Sequence, residues 1–235
     1  MIDRLIILDT NVSVYYLCWL FGVVSVLVGG YILGKKMEFT SSRRILYVVF
    51  ALIAGFVNLK LTARFCGGGE YFARIVPLFP VPFLLIALAF RESYGKLTDF
   101  YAPLVPVVHA GAHIGCIFTG CCHGYPSKWG LYSNVAETVC FPNVPLEIIT
   151  LYVLSGLMTA MICKGKQQGR LYAWYMVLFG VTRFFLEFLR DNEKIWCGLS
   201  ELSFQALASV VLGLVMLAIS KWICKRSPQY EESKI

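Results

Sequence analysis

The sequence predicts an all-α integral membrane protein that forms one polytopic domain over residues 1–235. Three observations lead to this prediction: 58% of the residues are hydrophobic, only 15% are charged, and the mean hydropathy is +0.68. Soluble domains contain about 25% charged residues, so this apolar excess is larger than one soluble core requires. The composition also excludes a disordered chain, and 9 cysteines are too few for a small disulfide-built scaffold.

Seven apolar runs follow one another along the chain, and we interpret each as a membrane span. A spanning helix needs about 20 apolar residues, so the second and third runs are short. The predicted spans are residues 13–33, 44–59, 75–90, 101–121, 145–163, 171–189 and 203–223. The N-terminal segment lacks a basic start and carries Asp3 and Asp9, so we do not expect a cleaved signal peptide there.

The distribution of lysine and arginine predicts the orientation of these spans. Of the 21 basic residues, 13 lie in the segments 35–44, 91–96, 164–170 and 221–234. The alternate segments hold 7, and Arg183 lies inside a span. Cytoplasmic loops are enriched in lysine and arginine, so we predict an external N-terminus and a cytoplasmic C-terminus. This bias accounts for the net charge of +7, and we expect no nucleic-acid partner.

The sixth predicted span carries charged residues where they are costly. Arg183, Glu187 and Arg190 are spaced i, i+4 and i+7, which places them on one face of a helix. An ionisable side chain in the middle of a span costs at least about 2.5 kcal/mol and usually has a partner. A self-satisfied Arg183–Glu187 pair would explain two of the three charges. The third charge favours a site for an anion.

The fourth predicted span carries a second polar stripe, formed by His109 and His113 at i and i+4. A histidine in a span is more often a hydrogen-bonded packing residue than a catalyst. Two on one face, opposite a candidate Arg–Glu stripe, favour a functional site. The glycines at 111, 115 and 120 allow a helix or a lipid headgroup to approach the backbone closely.

The cysteines near the outer end of the fourth span leave several interpretations open. Cys116, Cys121, Cys122 and His123 resemble a zinc or redox group. Structural zinc sites usually pair cysteines two to four residues apart, however, and adjacent cysteines rarely bind one ion. We therefore predict no metal and no cofactor. The sequence also leaves open whether one disulfide bond joins two of the outer-loop cysteines. The candidates are Cys66, one of Cys121 and Cys122, Cys140, and Cys197.

Three stretches, in this order, carry a family resemblance: HAGAHIGCIFTGCCHG at 109–124, VPLEIITLY at 144–152, and RFFLEFLRDNE at 183–193 followed by LSELSFQALAS. They resemble the prolipoprotein diacylglyceryl transferases, seven-span enzymes of the bacterial cytoplasmic membrane. The resemblance implies transfer of a diacylglyceryl group from phosphatidylglycerol to the lipobox cysteine thiol of a lipoprotein precursor, with release of glycerol phosphate. It further implies an active site toward the outer leaflet.

Two departures from the family pattern affect the candidate site. His113 stands where the family has an arginine thought to contact the lipid phosphate, and an imidazole is a weaker phosphate clamp than a guanidinium. The family's His-Gly-Gly element has no match, and Tyr71 lies near the position of its histidine. Arg183, Glu187 and Arg190 do match.

The resemblance predicts a role for each candidate residue. Arg183 binds the phosphate while Glu187 holds its side chain, and Arg190 stands at the outer mouth to receive headgroups. His113 and His109 serve as phosphate donor and possible base. Tyr71 belongs to the substrate site, and Gly115 and Gly120 leave room for the lipid.

Two alternatives to the transferase stay open from the sequence. The missing arginine and histidine are compatible with a non-catalytic or altered-substrate lipid-binding paralogue. Histidine, arginine and glutamate within spans also occur in small-solute transporters. Such transporters often consist of two similar halves, and no internal repeat is evident here.

Overall fold

The computed structural model describes residues 4–7, 10–65, 71–166 and 168–225 as a helical protein with two short strand pairs. The strand β1 (Arg4–Ile7) pairs with β2 (Thr10–Ser13), and β3 (Pro126–Ser133) pairs with β4 (Thr138–Cys140), both antiparallel. The helices are α1 (Val14–Lys36), α2 (Ser41–Phe65), α3 (Phe72–Ile75), α4 (Pro80–Phe90), α5 (Tyr94–Tyr101), α6 (Leu104–Thr119), α7 (Asn143–Cys163), α8 (Leu171–Glu187) and α9 (Glu201–Lys225). A 3₁₀ turn, Val76–Leu78, joins α3 to α4.

Each predicted span coincides with one helix or with two successive helices. In the part of the chain that the structure describes, five helical segments are long and apolar enough to cross a membrane. The bent pair Phe72–Leu78 and Pro80–Phe90, which meets at 47°, makes six if it is one span. The α8 helix has 17 residues, fewer than the usual 20 or so. The all-α membrane fold is therefore confirmed, whereas the number of seven spans and the orientation stay predictions.

The outer surface of the bundle is apolar, as a membrane protein requires. Ile53 and Phe56 on α2 and Val211 and Leu214 on α9 each expose about half or more of their area. Soluble monomers rarely expose continuous apolar patches of this kind. These helix faces therefore fit contact with lipid, and the chain is a multi-pass membrane protein.

The α5–α6 segment lies at the centre of the bundle, where α1 and α7 pack against α6. A Cβ atom on Gly111 would lie 2.6 Å from the Cα atom of Gly22, so the α1 and α6 backbones meet directly. On the other side, the Ser155 hydroxyl of α7 donates to the Pro103 carbonyl at 2.8 Å. The small residue at 111 that the sequence pattern singled out therefore admits a neighbouring helix.

Asp99 of α5 fixes the start of α8, the helix that carries the charged stripe. Its carboxylate accepts hydrogen bonds from the backbone N–H groups of Gly169 at 2.7 Å and Leu171 at 2.8 Å. The first N–H groups of a helix have no partner within the helix, and a carboxylate satisfies them and interacts favourably with the helix dipole. This contact anchors α8 to the central helices.

The β3–β4 hairpin covers the end of the bundle where α6 ends and α7 begins. The segment just before β3 pairs with the residues that follow α8, since Gly124 forms a β-bridge with Arg190. The Tyr125 N–H also donates to the Leu189 carbonyl at 3.2 Å. The residues just after α8 are therefore held against the α6–β3 connection, and this contact positions Arg190.

Candidate functional site

Glu147, in the first turns of α7, lies at the centre of a buried polar cluster. Its side chain is 2% exposed, and one carboxylate oxygen accepts a hydrogen bond from Nη2 of Arg190. Its other oxygen lies 3.4 Å from Nε of Arg183 and 3.3 Å from Nε2 of His113. One carboxylate thus connects the charged stripe of α8 to the histidine stripe of α6.

Arg183 and Glu187 form the ion pair that their i, i+4 spacing predicts. Nη1 of Arg183 lies 2.6 Å from Oε2 of Glu187, and both side chains are at most 2% exposed. The other oxygen of Glu187 accepts hydrogen bonds from the Ser200 hydroxyl at 2.6 Å and from the Asn192 amide. Glu187 is therefore held from two further directions, and it fixes the position of the Arg183 guanidinium.

The two histidines predicted to share a face are in direct contact. Nε2 of His109 lies 3.0 Å from Nε2 of His113, so one of these nitrogens carries the proton. The His109 ring stacks on Phe72 with centroids 4.4 Å apart, and the edge of Phe179 approaches it at 5.5 Å. The second ring nitrogen, Nδ1, has no hydrogen-bond partner in either histidine among the residues described.

The cluster balances two guanidinium groups with two carboxylates. Arg183 and Arg190 contribute two positive charges, and Glu147 and Glu187 contribute two negative ones. Burial by itself lowers the pKa of Arg190, but the neighbouring negative charges, Glu147 foremost, raise it above its ordinary value, so Arg190 stays charged. Arg190 is 3% exposed although it lines the polar cavity, and its role in receiving headgroups stays a prediction. Its ion pair with Glu147 draws it inside the cluster.

These side chains line one wall of a cavity that encloses about 550 Å³, part of it open to the surroundings. His109, His113, Glu147, Arg183 and Arg190 all contribute to this polar cavity. A second cavity, of about 590 Å³, is lined almost entirely by apolar side chains of α1, α2, α3, α5 and α6. Three residues line both cavities: Trp19, Leu59 and Phe72. The polar and apolar cavities are therefore neighbours across a shared wall.

Tyr71 lines the polar cavity and is 40% exposed. The Arg74 guanidinium lies 4.8 Å from the centre of the Tyr71 ring and donates to Glu201 at 2.8 Å. Tyr71 therefore lies at an exposed edge of the polar cavity, and its role in substrate binding stays a prediction. Residues 66–70, which precede it in the CGGGEYFAR segment, lie outside the described residues.

The two glycines expected to leave room for lipid make room for protein. A Cβ atom on Gly115 would lie 2.7 Å from the Tyr15 side chain of α1, so a helix fills that space. Gly120 ends α6 with a φ of +73°, and a Cβ atom there would lie 2.8 Å from the Asn134 backbone. The two positions serve a helix contact and a left-handed turn, so neither leaves the expected room for lipid.

Glu147 is the site residue that the sequence analysis missed. It falls in the PLE segment that supported the family resemblance, but only the charges of the sixth span were singled out. The signal that marks Arg183 and Glu187 in the sixth span is an ionisable residue inside an apolar run. Glu147 shows the same signal in the fifth span, residues 145–163. Its central position depends on α7 packing against α6, which local pattern does not show.

Two groups of side chains have the composition of a metal site, and the thiols in them are reduced. His113, Cys116 and Cys122 form one group, and His109, His113 and Glu147 form the other. Among the residues whose side chains the structure describes, seven cysteines are free, including Cys140 and Cys197. Cys66, the remaining member of the proposed disulfide set, lies outside the described residues.

Comparison with known proteins gives one consistent result. A family model described as prolipoprotein diacylglyceryl transferase matches residues 5–222. A phosphatidylglycerol–prolipoprotein diacylglyceryl transferase from Clostridium tetani is 26% identical over 54% of this chain and 54% of its own length. Proteins of that name from Clostridium perfringens and Nitrosomonas europaea are 27% and 26% identical over 58% and 68% of this chain. These alignments cover 57% and 60% of the relatives, so the chain spans somewhat over half the length of the curated relatives it matches.

Proposed function

Because this chain belongs to the prolipoprotein diacylglyceryl transferase family, we propose that it transfers a diacylglyceryl group from phosphatidylglycerol to the lipobox cysteine of a lipoprotein precursor. The observation that carries the proposal is the pair of buried guanidinium groups beside an apolar cavity. A phospholipid has this same combination, namely an anionic phosphate attached to acyl chains. Arginine suits phosphate because its planar fork binds two oxygens at once.

The lipid phosphate has to compete with carboxylates for the guanidinium groups. Arg183 is held by Glu187 and Arg190 is held by Glu147. Glu187 has two further hydrogen-bond donors, whereas the second oxygen of Glu147 has contacts but no well-formed hydrogen bond. Glu147 is therefore the carboxylate that yields more readily, and Arg190 turns toward the headgroup while Arg183 stays fixed.

The proposed reaction is a displacement at the glycerol carbon that bears the phosphate ester. The substrate thiolate attacks this carbon, a carbon–sulfur bond forms, and the carbon–oxygen bond to the phosphate breaks. The electron pair leaves with glycerol phosphate, and the thiol proton passes to a base. Arg183 and Arg190 stabilise the developing phosphate charge, and the enzyme need not supply a nucleophile.

The touching histidines provide a route for the thiol proton. His109 and His113 are 3.0 Å apart, and His113 is 3.3 Å from the Glu147 carboxylate. A proton accepted by one imidazole is stabilised as an imidazolium beside this carboxylate. We assign His113 the role of phosphate donor and His109 the role of base.

We also propose that the site opens toward the outer leaflet of a bacterial cytoplasmic membrane. The site lies at the end of α6, the beginning of α7 and the end of α8. All three helix ends are on the side with fewer lysine and arginine residues, which the charge distribution assigns to the exterior. A lipobox peptide on the outer surface then has direct access to the polar cavity.

Mass spectrometry of a lipobox peptide incubated with the protein in phosphatidylglycerol vesicles tests the proposal. We expect an adduct of one diacylglyceryl group, with no adduct from Arg183→Ala. The matched control is Arg64→Ala, because Arg64 is an exposed arginine in the last turn of α2, and this variant should retain the wild-type rate. Lipid binding without any adduct would instead support the non-catalytic paralogue and refute the transferase.

A further inference from the structure

Three cysteine sulfur atoms and one imidazole meet where α6 ends, at the edge of the polar cavity. Cys116 lies in the last turn of α6, and Cys121 and Cys122 lie in the turn after Gly120. The left-handed turn at Gly120 folds the chain back, so that Cys122 faces Cys116 across six residues of sequence. None of these thiols has a role in the proposed transfer reaction.

The sulfur positions match the geometry of a tetrahedral thiolate site. Sγ of Cys122 lies 3.7 Å from Sγ of Cys116 and 3.9 Å from Sγ of Cys121. A zinc–sulfur bond is about 2.3 Å, so two thiolates on a tetrahedral ion are about 3.8 Å apart. Both observed separations lie within 0.1 Å or so of that value. Little movement of Cys116 and Cys122 would be needed to hold an ion.

His113 supplies a nitrogen ligand for the same group. The ligand atoms of His113, Cys116 and Cys122 all lie within 4.8 Å of one another. Nδ1 of His113 is buried without a hydrogen-bond partner among the described residues, and Nε2 lies 3.3 Å from the Glu147 carboxylate. Metal-bound histidines commonly direct their second nitrogen at a carboxylate in this way. The exposed Cys121 thiol lies outside this three-residue group, 3.9 Å from Sγ of Cys122, and a turn of its side chain would let it serve as a fourth donor.

The alternative ligand set of His109, His113 and Glu147 is less suited to a cation. Its carboxylate already binds Arg190 and lies beside Arg183. Two guanidinium groups repel an added positive charge and occupy the oxygens that would coordinate it. The cysteine set instead supplies thiolates, which neutralise the ion.

We propose that Cys116, Cys122 and His113, with Cys121 as fourth donor, form a binding site for a thiophilic divalent cation such as Zn²⁺. This reverses the expectation from the sequence, in which adjacent cysteines argued against a metal. In the folded protein the principal thiol pair is Cys116 and Cys122. These two cysteines are not adjacent in sequence, so the objection to adjacent ligands does not apply to them. Binding releases the thiol protons to solvent, so affinity falls as the pH falls.

Titration of the purified, reduced protein with Co²⁺ alone tests this site by the thiolate-to-cobalt charge-transfer absorption. We expect a saturable band at one ion per chain that added Zn²⁺ removes. Cys122→Ser should weaken Co²⁺ binding by at least about 10-fold. Loss of a group that only supports a metal ligand already costs about this much, and Cys122 is proposed as a ligand itself. Cys121→Ser, at an exposed position, should weaken binding without disturbing the fold.

The matched control is Cys163→Ser, which removes an exposed thiol in the last turn of α7 and should leave the titration unchanged. Absence of the band from the reduced wild-type protein, or an equal band in Cys122→Ser, would overturn the proposal. A disulfide in the isolated protein that yields no Co²⁺ site after reduction would overturn it as well. The measurement needs no lipid or peptide, so its outcome is independent of the transferase proposal.

Discussion

Neutralising Glu147 should destabilise the buried cluster more than any other conservative change in it. Glu147 is 2% exposed and contacts Arg183, Arg190 and His113. In Glu147→Gln, two buried guanidinium groups are balanced by Glu187 alone. Removing one partner of a buried ion pair costs about 3–5 kcal/mol. At about 2–4 °C per kcal/mol for a chain of this size, the thermal midpoint should fall by roughly 6–20 °C.

The assay is thermal unfolding of the purified protein in detergent, with and without inorganic phosphate. The control is Glu92→Gln, at a partly exposed pair in which Arg43 is 44% and Glu92 15% exposed and the two lie 3.3 Å apart; the glutamine can still accept from the Tyr47 hydroxyl. Such pairs contribute about 0–1 kcal/mol, so this midpoint should barely change. Phosphate should stabilise Glu147→Gln more than the wild type, because it replaces the missing negative charge. A variant as stable as the wild type, with no added response to phosphate, would refute the charge-balance reasoning.

Three further changes test the fold and the site separately. His113→Arg adds a third guanidinium to the cluster. The initial rate of transfer should rise because a guanidinium binds phosphate better than an imidazole, and the thermal midpoint should fall because the added charge is unbalanced. A lower rate in a correctly folded variant would contradict the role of His113 in binding phosphate. Gly111→Ala places a Cβ atom 2.6 Å from Gly22 and should lower the thermal midpoint. Gly156→Ala, which has open space, should leave the midpoint unchanged or raise it, and equal effects at the two glycines would contradict the close α1–α6 contact. Asp99→Asn loses one of the two acceptors at the start of α8 and should cost about 1–3 kcal/mol in unfolding free energy, and an unchanged midpoint would argue against this anchor.

The sequence was sufficient to predict the fold class and the two polar stripes. Apolar runs mark membrane helices because the bilayer core has a fixed thickness, and helical spacing placed Arg183 with Glu187 and His109 with His113. These are short-range relations, and the structure reproduces them. The bend between α3 and α4 and the break within α5–α6 were not visible, because runs of apolar residues do not specify where a helix changes direction.

The contacts between helices could not be predicted from the sequence, because the spacing of residues within one helix does not show which helices pack together. Glu147 joins the two stripes only because α7 packs beside α6 and α8. The spacing of Gly115 and Gly120 suggests space for lipid, but the side chains and backbone that fill this space come from segments distant in sequence. Cys116 meets Cys122 for a similar reason, since the turn at Gly120 reverses the chain.

The intact mass of a lipobox peptide, after incubation with the reconstituted protein in vesicles whose anionic lipid is phosphatidylglycerol, decides whether this chain is a transferase. We expect a peptide heavier by one diacylglyceryl group, glycerol phosphate in equal amount, and no change in a peptide whose lipobox cysteine is replaced by serine. An unmodified cysteine peptide, in vesicles where the Clostridium perfringens relative modifies it, would refute the transferase proposal.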